Sequence, residues 1–475
     1  MDDLVNLVYS YEQEKAIELF EEGYNIFITG AAGTGKSIIV KKIIKVSNNS
    51  LIALAPTGIA ALSIKGHTLH SYFGIKVGYE NIVYNNKQMT DIIKACISMR
   101  NKVVDYFLDE VNSVYNILIV EFKKILYNYI FKIVSNNQKK TDIWRKIKRT
   151  KKIIIDEISM ISGDLFCLLD IVCCIIKKKK EYFGGMQIVA CGDFFQLPPV
   201  IKNEHKNCIK YTHVFQTPIW SMFEDNTVVL EYIYRQEGCN DFKELLCRLR
   251  IGQLTNSDID ILKSRIIHCE KDIPRLLCKK DEVLEYNNKK LNLLKTENIS
   301  INADFYGNEE LLIQLKKQFS DIGLFKLNLK VGARVLLCRN IGDGLVNGSL
   351  GIIHSIRDSS IEVIFDNIPI PISIKKEKWE LEDVDNKTVA VGIQFPLLIS
   401  YAITIHKAQG LTLEEACISI DNLFTPHQAY VGLSRVKSLE GLYIQNKYKD
   451  INKNILCSVY PHIINYYNRF NKKQI

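Results

Sequence analysis

The sequence predicts an α/β protein whose first domain is a doubly wound parallel sheet carrying a phosphate-binding loop. Three observations predict it. The octet Gly30-Ala-Ala-Gly-Thr-Gly-Lys-Ser37 sits between the apolar runs Tyr24–Thr29 and Ile38–Ile44. Continuous apolar runs rich in β-branched residues recur at Leu51–Ala55, Lys152–Ile155, Gln187–Cys191 and Thr227–Leu230. From about 300 to 392 the texture changes to short alternating segments such as Ala333–Cys338, Gly351–Ile356 and Ile361–Phe365, separated by Gly, Asn and Asp.

The octet reads as strand, glycine loop, helix, which is the context a phosphate-binding loop requires. Its glycines let successive backbone N–H groups curl around an anion without a Cβ clash. The following helix adds the partial positive charge of its N-terminus. Lys36 then reaches the β- and γ-phosphates of a nucleoside triphosphate, and the Ser37 hydroxyl completes a Mg²⁺ shell. Gly30, Ala31, Ala32, Gly33, Thr34 and Gly35 supply the cradle.

Continuous rather than alternating apolar runs fit strands buried on both faces of a parallel sheet. They define a first α/β domain over residues 1–230. Residues 85–150, rich in Ile, Asn, Tyr and Lys, read as a helical insertion, bounded more widely at 68–150. The alternating segments predict a small β-barrel over 300–392. That barrel interrupts a second α/β domain made of 231–299 and 393–475, where apolar strand character returns near Phe395–Ile405.

At 475 residues, 47% hydrophobic and 24% charged, the composition is that of a globular protein. No run of 18 uncharged apolar residues is present, so no membrane is expected as a partner. Met1–Val5 is acidic and lacks a signal or transit pattern, which sets an expectation of cytosol or nucleus. None of the 13 cysteines forms a Cys-x-x-Cys pair, so buried reduced thiols are expected rather than disulfides or zinc. The net charge of +9 gathers in a dense Lys/Arg run from Lys139 to Lys152 and a four-lysine run, Lys177–Lys180. Such runs attract nucleic acid through phosphate contacts, although most are solvated faces.

Asp156 and Glu157 close the run Lys152–Ile155. Beside a phosphate loop, Asp156 suits the Mg²⁺ shell and Glu157 can accept a proton from the attacking water. Gly192-Asp-Phe-Phe-Gln196-Leu-Pro-Pro199 closes the next run, and the Gln196 amide is placed to sense a γ-phosphate. Arg235 and Arg435 lie far downstream; guanidinium groups stabilise charge on a transferring phosphoryl group. If they come from a second domain, hydrolysis is coupled to domain closure.

At this point the sequence resembles the PIF-type helicases of the RecD-like branch of superfamily one. The resemblance rests on Ala55–Ala61, Gly66–Gly74, Ile154–Met160, Gly184–Val200, Leu345–Ser349, Thr404–Gly410 and Tyr430–Val436, an ordered set from Gln13 to about 447. It implies two RecA-like motor domains, with the barrel over 300–392 SH3-like, and an ATP-dependent DNA helicase moving 5′ to 3′ on single-stranded DNA. It further implies that Gln13 recognises adenine, that Arg235 and Arg435 are arginine fingers, and that Thr57, His67, His70, Phe73, Thr404, His406 and Lys407 line the DNA path. Hydroxyls and Lys407 suit phosphate oxygens, whereas Phe73 and the imidazoles suit base stacking. The implied partners are single-stranded DNA and DNA junctions, and the implied setting is a monomer in the nucleus, or in the cytoplasm for a viral or bacterial chain. One stretch departs from the family pattern: Leu168–Lys180 carries Cys173-Cys174 where relatives have an Ala-Arg pair, and Lys177 near a second arginine. Two other readings stay open here, a phosphate-loop ATPase that remodels RNA or protein and a DNA-binding scaffold without turnover.

Overall fold

In the computed structural model the described residues are 8–47, 50–75, 83–109, 116–126, 137–267, 273–307, 309–339, 341, 345, 349–366, 368–382, 388–447 and 451–471. Met1–Val5 and the centre of Leu345–Ser349 lie outside them. The chain forms two compact units, residues 1–194 with 198–232, and residues 195–197 with 233–475.

Unit one is built on six strands: β1 (Ile26–Gly30), β2 (Leu51–Ala55), β3 (His67–Thr68), β4 (Lys152–Ile155), β5 (Gln187–Cys191) and β6 (Thr227–Leu230). Their spatial order is β3-β2-β4-β5-β1-β6, and every pairing is parallel. The continuous apolar runs have the expected cause: all five residues of β1 and of β5 are buried. Two helices flank the loop, α1 (Tyr11–Glu21) and α2 (Lys36–Val46). Ala16, Phe20, Ile39, Val40 and Ile43 from those helices pack on Ile26, Ile28, Val189 and Cys191 of the sheet. Strand β3 is only two residues long and escapes any periodicity argument. It is fixed by Gly66, where an added Cβ would lie 2.4 Å from the Ala53 carbonyl oxygen.

The insertion is helical, with Lys87–Ser98, Arg100–Asp109, Asn116–Ile125 and Asn137–Arg149 among its described residues. The helix Gly163–Lys177 follows β4 and is almost wholly buried.

In unit two the chain makes β7 (Arg275–Leu277), β8 (Ile299–Asn302), β9 (Asp304–Gly307), β10 (Lys326–Leu329), β11 (Arg334–Leu337), β12 (Leu350–Ile356), β13 (Ser360–Phe365), β14 (Ile368–Lys375), β15 (Glu377–Glu382), β16 (Thr388–Gln394), β17 (Leu397–Ile399), β18 (Ala402–Thr404), β19 (Ala416–Ser419) and β20 (Leu442–Gln445). Strands β18-β7-β19-β20 form a four-stranded parallel sheet. Between its strands lies an antiparallel region of three sheets, β14-β13-β12-β11-β17, β15-β16-β9 and β10-β8. The region expected as a barrel over 300–392 thus borrows β17, beyond its predicted end. It also holds a helix, Glu309–Ile322, hidden by the alternating texture around it. Leu315, Phe319 and Ile322 are buried, and Phe319 meets Phe305 and Trp379 edge-on at 5.0 and 5.2 Å.

Candidate functional site

The glycine loop joins the carboxyl end of β1 to α2, where an open parallel sheet collects its ligands. Gly30, Gly33 and Gly35 have φ of 155°, 87° and 86°, and a Cβ on Gly30 would lie 2.6 Å from the Leu230 carbonyl oxygen. Lys36 Nζ donates to the carbonyl oxygens of Gly30 and Ala31 at 2.7 and 2.8 Å, so its ammonium is curled over its own loop. Thr34 Oγ1 donates to the Ala31 carbonyl at 3.0 Å. Gln13 is buried in a capping box with Ser10, and its Nε2 reaches the Thr34 carbonyl at 3.4 Å. The residue expected to read adenine is therefore tied directly to the loop that faces phosphate.

Asp156 leaves the carboxyl end of β4, with its backbone N–H donating to the Leu54 carbonyl at 2.9 Å. Its carboxylate is buried and accepts the Glu157 N–H at 2.9 Å. Burial raises its pKa above the ordinary carboxylate value, against the lowering pull of that N–H and of the Lys36 charge. Glu157 is held at φ 52°, ψ 44°, a left-handed conformation that costs a non-glycine residue of order 1–3 kcal/mol and clusters at functional sites. A divalent cation would relieve the desolvated Asp156 carboxylate. The donor set, the Ser37 hydroxyl with the Asp156 oxygen, is the hard oxygen type that suits Mg²⁺ with its remaining waters.

In unit two, Arg235 and Arg435 converge. Arg235 Nε donates to Thr412 Oγ1 at 2.9 Å and its Nη1 to the Ser434 carbonyl at 3.0 Å. Arg435 is 1% exposed; its Nε donates to the Val431 carbonyl at 2.7 Å and its Nη2 to Ser434 Oγ at 2.8 Å. Neighbouring Gln236 clamps the same turn through the Val436 carbonyl at 2.8 Å. Desolvation, and then the Arg435 charge, lower the Arg235 pKa to about 9. Two guanidiniums gathered around one turn carry the planar donor fork that suits phosphate oxygens.

Gln196 is buried, and its Oε1 accepts from Gln409 Nε2 at 3.4 Å. Gln409 belongs to Thr404–Gly410, so this loop of unit two links the expected phosphate sensor to an expected DNA-path segment. Within that segment Thr404 Oγ1 accepts the Lys407 N–H at 3.1 Å and shapes the turn. Lys407 Nζ lies 3.5 Å from the Ile322 carbonyl. His406 stacks on Phe424, ring centroids 5.9 Å apart and 12° from parallel. Phe424 is 59% exposed, so the pair presents an aromatic surface that the sequence motifs did not mark.

The DNA-path residues expected in unit one are placed unevenly. Thr57 Oγ1 accepts the Ala60 N–H at 3.2 Å, at the start of helix α3 (Gly58–Ser63). His67 and His70 are half-buried, on β3 and on the short helix α4 (Leu69–Tyr72). Burial and then the Lys146 charge lower the His67 pKa to about 3, so its imidazole is neutral at physiological pH and attracts no phosphate by charge. Phe73 corrects an expectation. It is 1% exposed and packs edge-on against Tyr72 at 5.0 Å, so it supports this segment from within and offers no ring face to a base.

The departure at Cys173-Cys174 also has a structural answer. Both thiols are buried in the helix Gly163–Lys177. A guanidinium arrives there from elsewhere: Arg100, in the insertion, donates from Nε and Nη2 to the buried Asp170 carboxylate at 2.8 and 3.3 Å, and from Nη2 to Cys174 Sγ at 2.8 Å. Asp170 also accepts the Phe183 N–H at 2.6 Å. Lys177 donates to the Lys148 and Thr150 carbonyls at 3.1 and 2.7 Å.

Two substitutions test this geometry. Asp156→Asn removes a desolvated charge without changing shape, so its thermal midpoint in the absence of nucleotide and metal should equal or exceed that of the parent, while ATP turnover is lost. A lowered midpoint would contradict the burial argument. Arg100→Ala strands the Asp170 charge, a change worth about 3–5 kcal/mol for a buried pair. Urea unfolding should show that loss, and Asp170→Asn in the same chain should recover part of it.

Comparison with known proteins identifies a family. The PIF1-like helicase family profile matches residues 8–129 and 121–260, more than half of the chain. The ATP-dependent DNA helicase Pif1 of Bdellovibrio bacteriovorus is 28% identical over 92% of this chain and 87% of its own length. The ATP-dependent DNA helicase PIF1 of Danio rerio is 30% identical over 92% of this chain, which spans only 61% of that longer relative. The solved structure of Bacteroides sp Pif1 in complex with ADP-AlF4 superposes with a TM-score of 0.75 at 26% identity, covering 98% of both chains. Bacteroides Pif1 bound to single-stranded DNA gives 0.62 at 28% identity, covering 99% of this chain and 98% of that one. Matched over more than half of its length, the chain belongs to the PIF1-like helicase family.

Proposed function

We propose that this family member is an ATP-driven DNA helicase that advances 5′ to 3′ along single-stranded DNA and separates duplex ahead of it. The observation that carries the reading is the carboxyl edge of the first sheet, where Lys36, curled over its own glycine loop, is close enough to lower the pKa of the desolvated Asp156. A triphosphate competes with the Gly30 and Ala31 carbonyls for the Lys36 ammonium. Mg²⁺, held by Ser37 and Asp156, would neutralise phosphate charge. Glu157 is the base for the attacking water, and its strained backbone fixes where its carboxylate begins. Gln13 carries the state of the adenine pocket to Thr34 through one hydrogen bond.

Arg235 and Arg435 are the receptor for charge developing on the γ-phosphoryl group. Gln196 reports the same group to the Thr404–Gly410 segment through Gln409. Thr57, His67, His70, Thr404, His406 and Lys407 serve the DNA strand, with His67 acting as a neutral hydrogen-bonding or stacking group. Single-stranded DNA and DNA junctions are the substrates, and the chain acts as a monomer. Among the described residues no helix is long and apolar enough to cross a membrane.

The test is unwinding of duplexes carrying a 5′ or a 3′ single-stranded tail, with ATP turnover measured in parallel. The 5′-tailed duplex should be unwound and the 3′-tailed one left intact. Lys36→Ala should abolish unwinding with the fold retained. Turnover that single-stranded DNA does not stimulate would instead identify an ATPase acting on another polymer.

A further inference from the structure

Apart from Lys146 beside His67, the two basic runs of the sequence have no part in the chemistry above, yet the fold brings them together. Asn137–Arg149 and Gly163–Lys177 end side by side, because Lys177 Nζ donates to the carbonyls of Lys148 and Thr150. Lys148, Arg149, Lys151, Lys178, Lys179 and Lys180 are exposed around that junction. Lys151 and Lys179 are near enough that their charges, after burial, lower the Lys177 pKa.

This face opens into a cleft of about 610 Å³ in unit one, lined among others by Asn25, Arg100, Lys151, Lys152, Lys180 and Tyr182. Asn25, Lys152 and Gln187 stand at the starts of β1, β4 and β5, so the cleft lies at the amino edge of the sheet. The nucleotide loop lies at the other edge, about 16 Å away for a five-residue strand. An anion held here is therefore neither the nucleotide nor its metal.

The acids nearby do not cancel this charge. Glu181 is on the rim, Asp105 pairs with Lys180 at 2.7 Å, and Asp170 is taken by Arg100. Lys151 and Lys179 stay exposed. The turn that carries the second run is held in shape. Lys178 and Phe183 have φ of 56° and 53°, and Asp170 fixes the Phe183 N–H. Aromatic groups interleave with the cations: Arg100 lies over the Tyr182 ring at 5.0 Å, and Tyr24, next to Asn25, is 49% exposed.

We propose that this cleft and the basic face around it are a second nucleic-acid surface, which holds the sugar–phosphate backbone of a strand lying outside the motor's own track. Cations beyond the cleft as well as within it fit an extended polyanion better than a single small ion. Flanking aromatic rings add sequence-tolerant stacking.

The test uses the full chain with Lys148, Lys151 and Lys179 changed to Ala, three exposed side chains outside the ATP and motor-track residues. ATP turnover stimulated by a short dT oligomer, about eight nucleotides long and enough for one track, should match the parent. Affinity for a long tailed duplex should fall, and the log–log salt slope should flatten by about 2, near 0.7 for each phosphate left without its lysine. Lysine acetylation read by mass spectrometry should show Lys151 and Lys179 protected by the long DNA in the parent.

An unchanged affinity and slope would overturn the proposal, as would protection of those lysines by ATP or by poly-glutamate but not by DNA. If the short oligomer fails to stimulate turnover even in the parent, the motor reading fails, while the acetylation result still decides the second surface.

Discussion

Lys36, held over the Gly30 and Ala31 carbonyls, makes the interaction on which the rest of unit one depends. It requires a loop that turns tightly enough for a side chain to reach carbonyls five and six residues behind it. The loop can do so only with positive φ at Gly30, Gly33 and Gly35. That turn in turn requires β1 to end between β5 and β6, so that Leu230 closes on Gly30 with no room for a Cβ. The parallel sheet then delivers Asp156 and Glu157 from β4 to the same edge. Burial makes Asp156 costly to ionise, which prepares it for a cation.

Unit two answers with charge of one sign. Arg235 and Arg435 are held by hydroxyls and backbone carbonyls around Ser434, and desolvation together with the Arg435 charge makes Arg235 easier to deprotonate. In the proposed function an anion would offset the charge gathered there, and the carboxylate and guanidinium sites would couple phosphate chemistry to movement.

Much of this was legible in the sequence because it rests on local rules. The continuous apolar runs became β1, β2, β4, β5 and β6 with ends shifted by at most two residues, and the central β1 and β5, buried along their whole length, leave no alternation to misread. The loop was legible because glycines and lysine at that spacing serve one purpose between a strand and a helix. What escaped depends on distance. Arg100 lies 70 residues from Asp170, and no pattern near Cys173 announces that a guanidinium comes from the insertion. Phe73 reads as an aromatic fit for stacking, yet tertiary packing buries it against Tyr72. His67 reads as a DNA-path imidazole, and only the structure shows the burial and the Lys146 charge that keep it neutral. The helix Glu309–Ile322 was masked because strands bound it on both sides.

The proposed function requires Arg235 and Arg435 to act on the phosphate group bound at the Lys36 loop. The direct measurement is single-turnover ATP hydrolysis by Arg235→Ala in the presence of single-stranded DNA, with nucleotide affinity measured alongside. Loss of an arginine that stabilises the transferring phosphoryl group should slow hydrolysis by about 10³–10⁵ while nucleotide affinity changes little. Hydrolysis at the parent rate, or a defect confined to nucleotide affinity, would contradict the account.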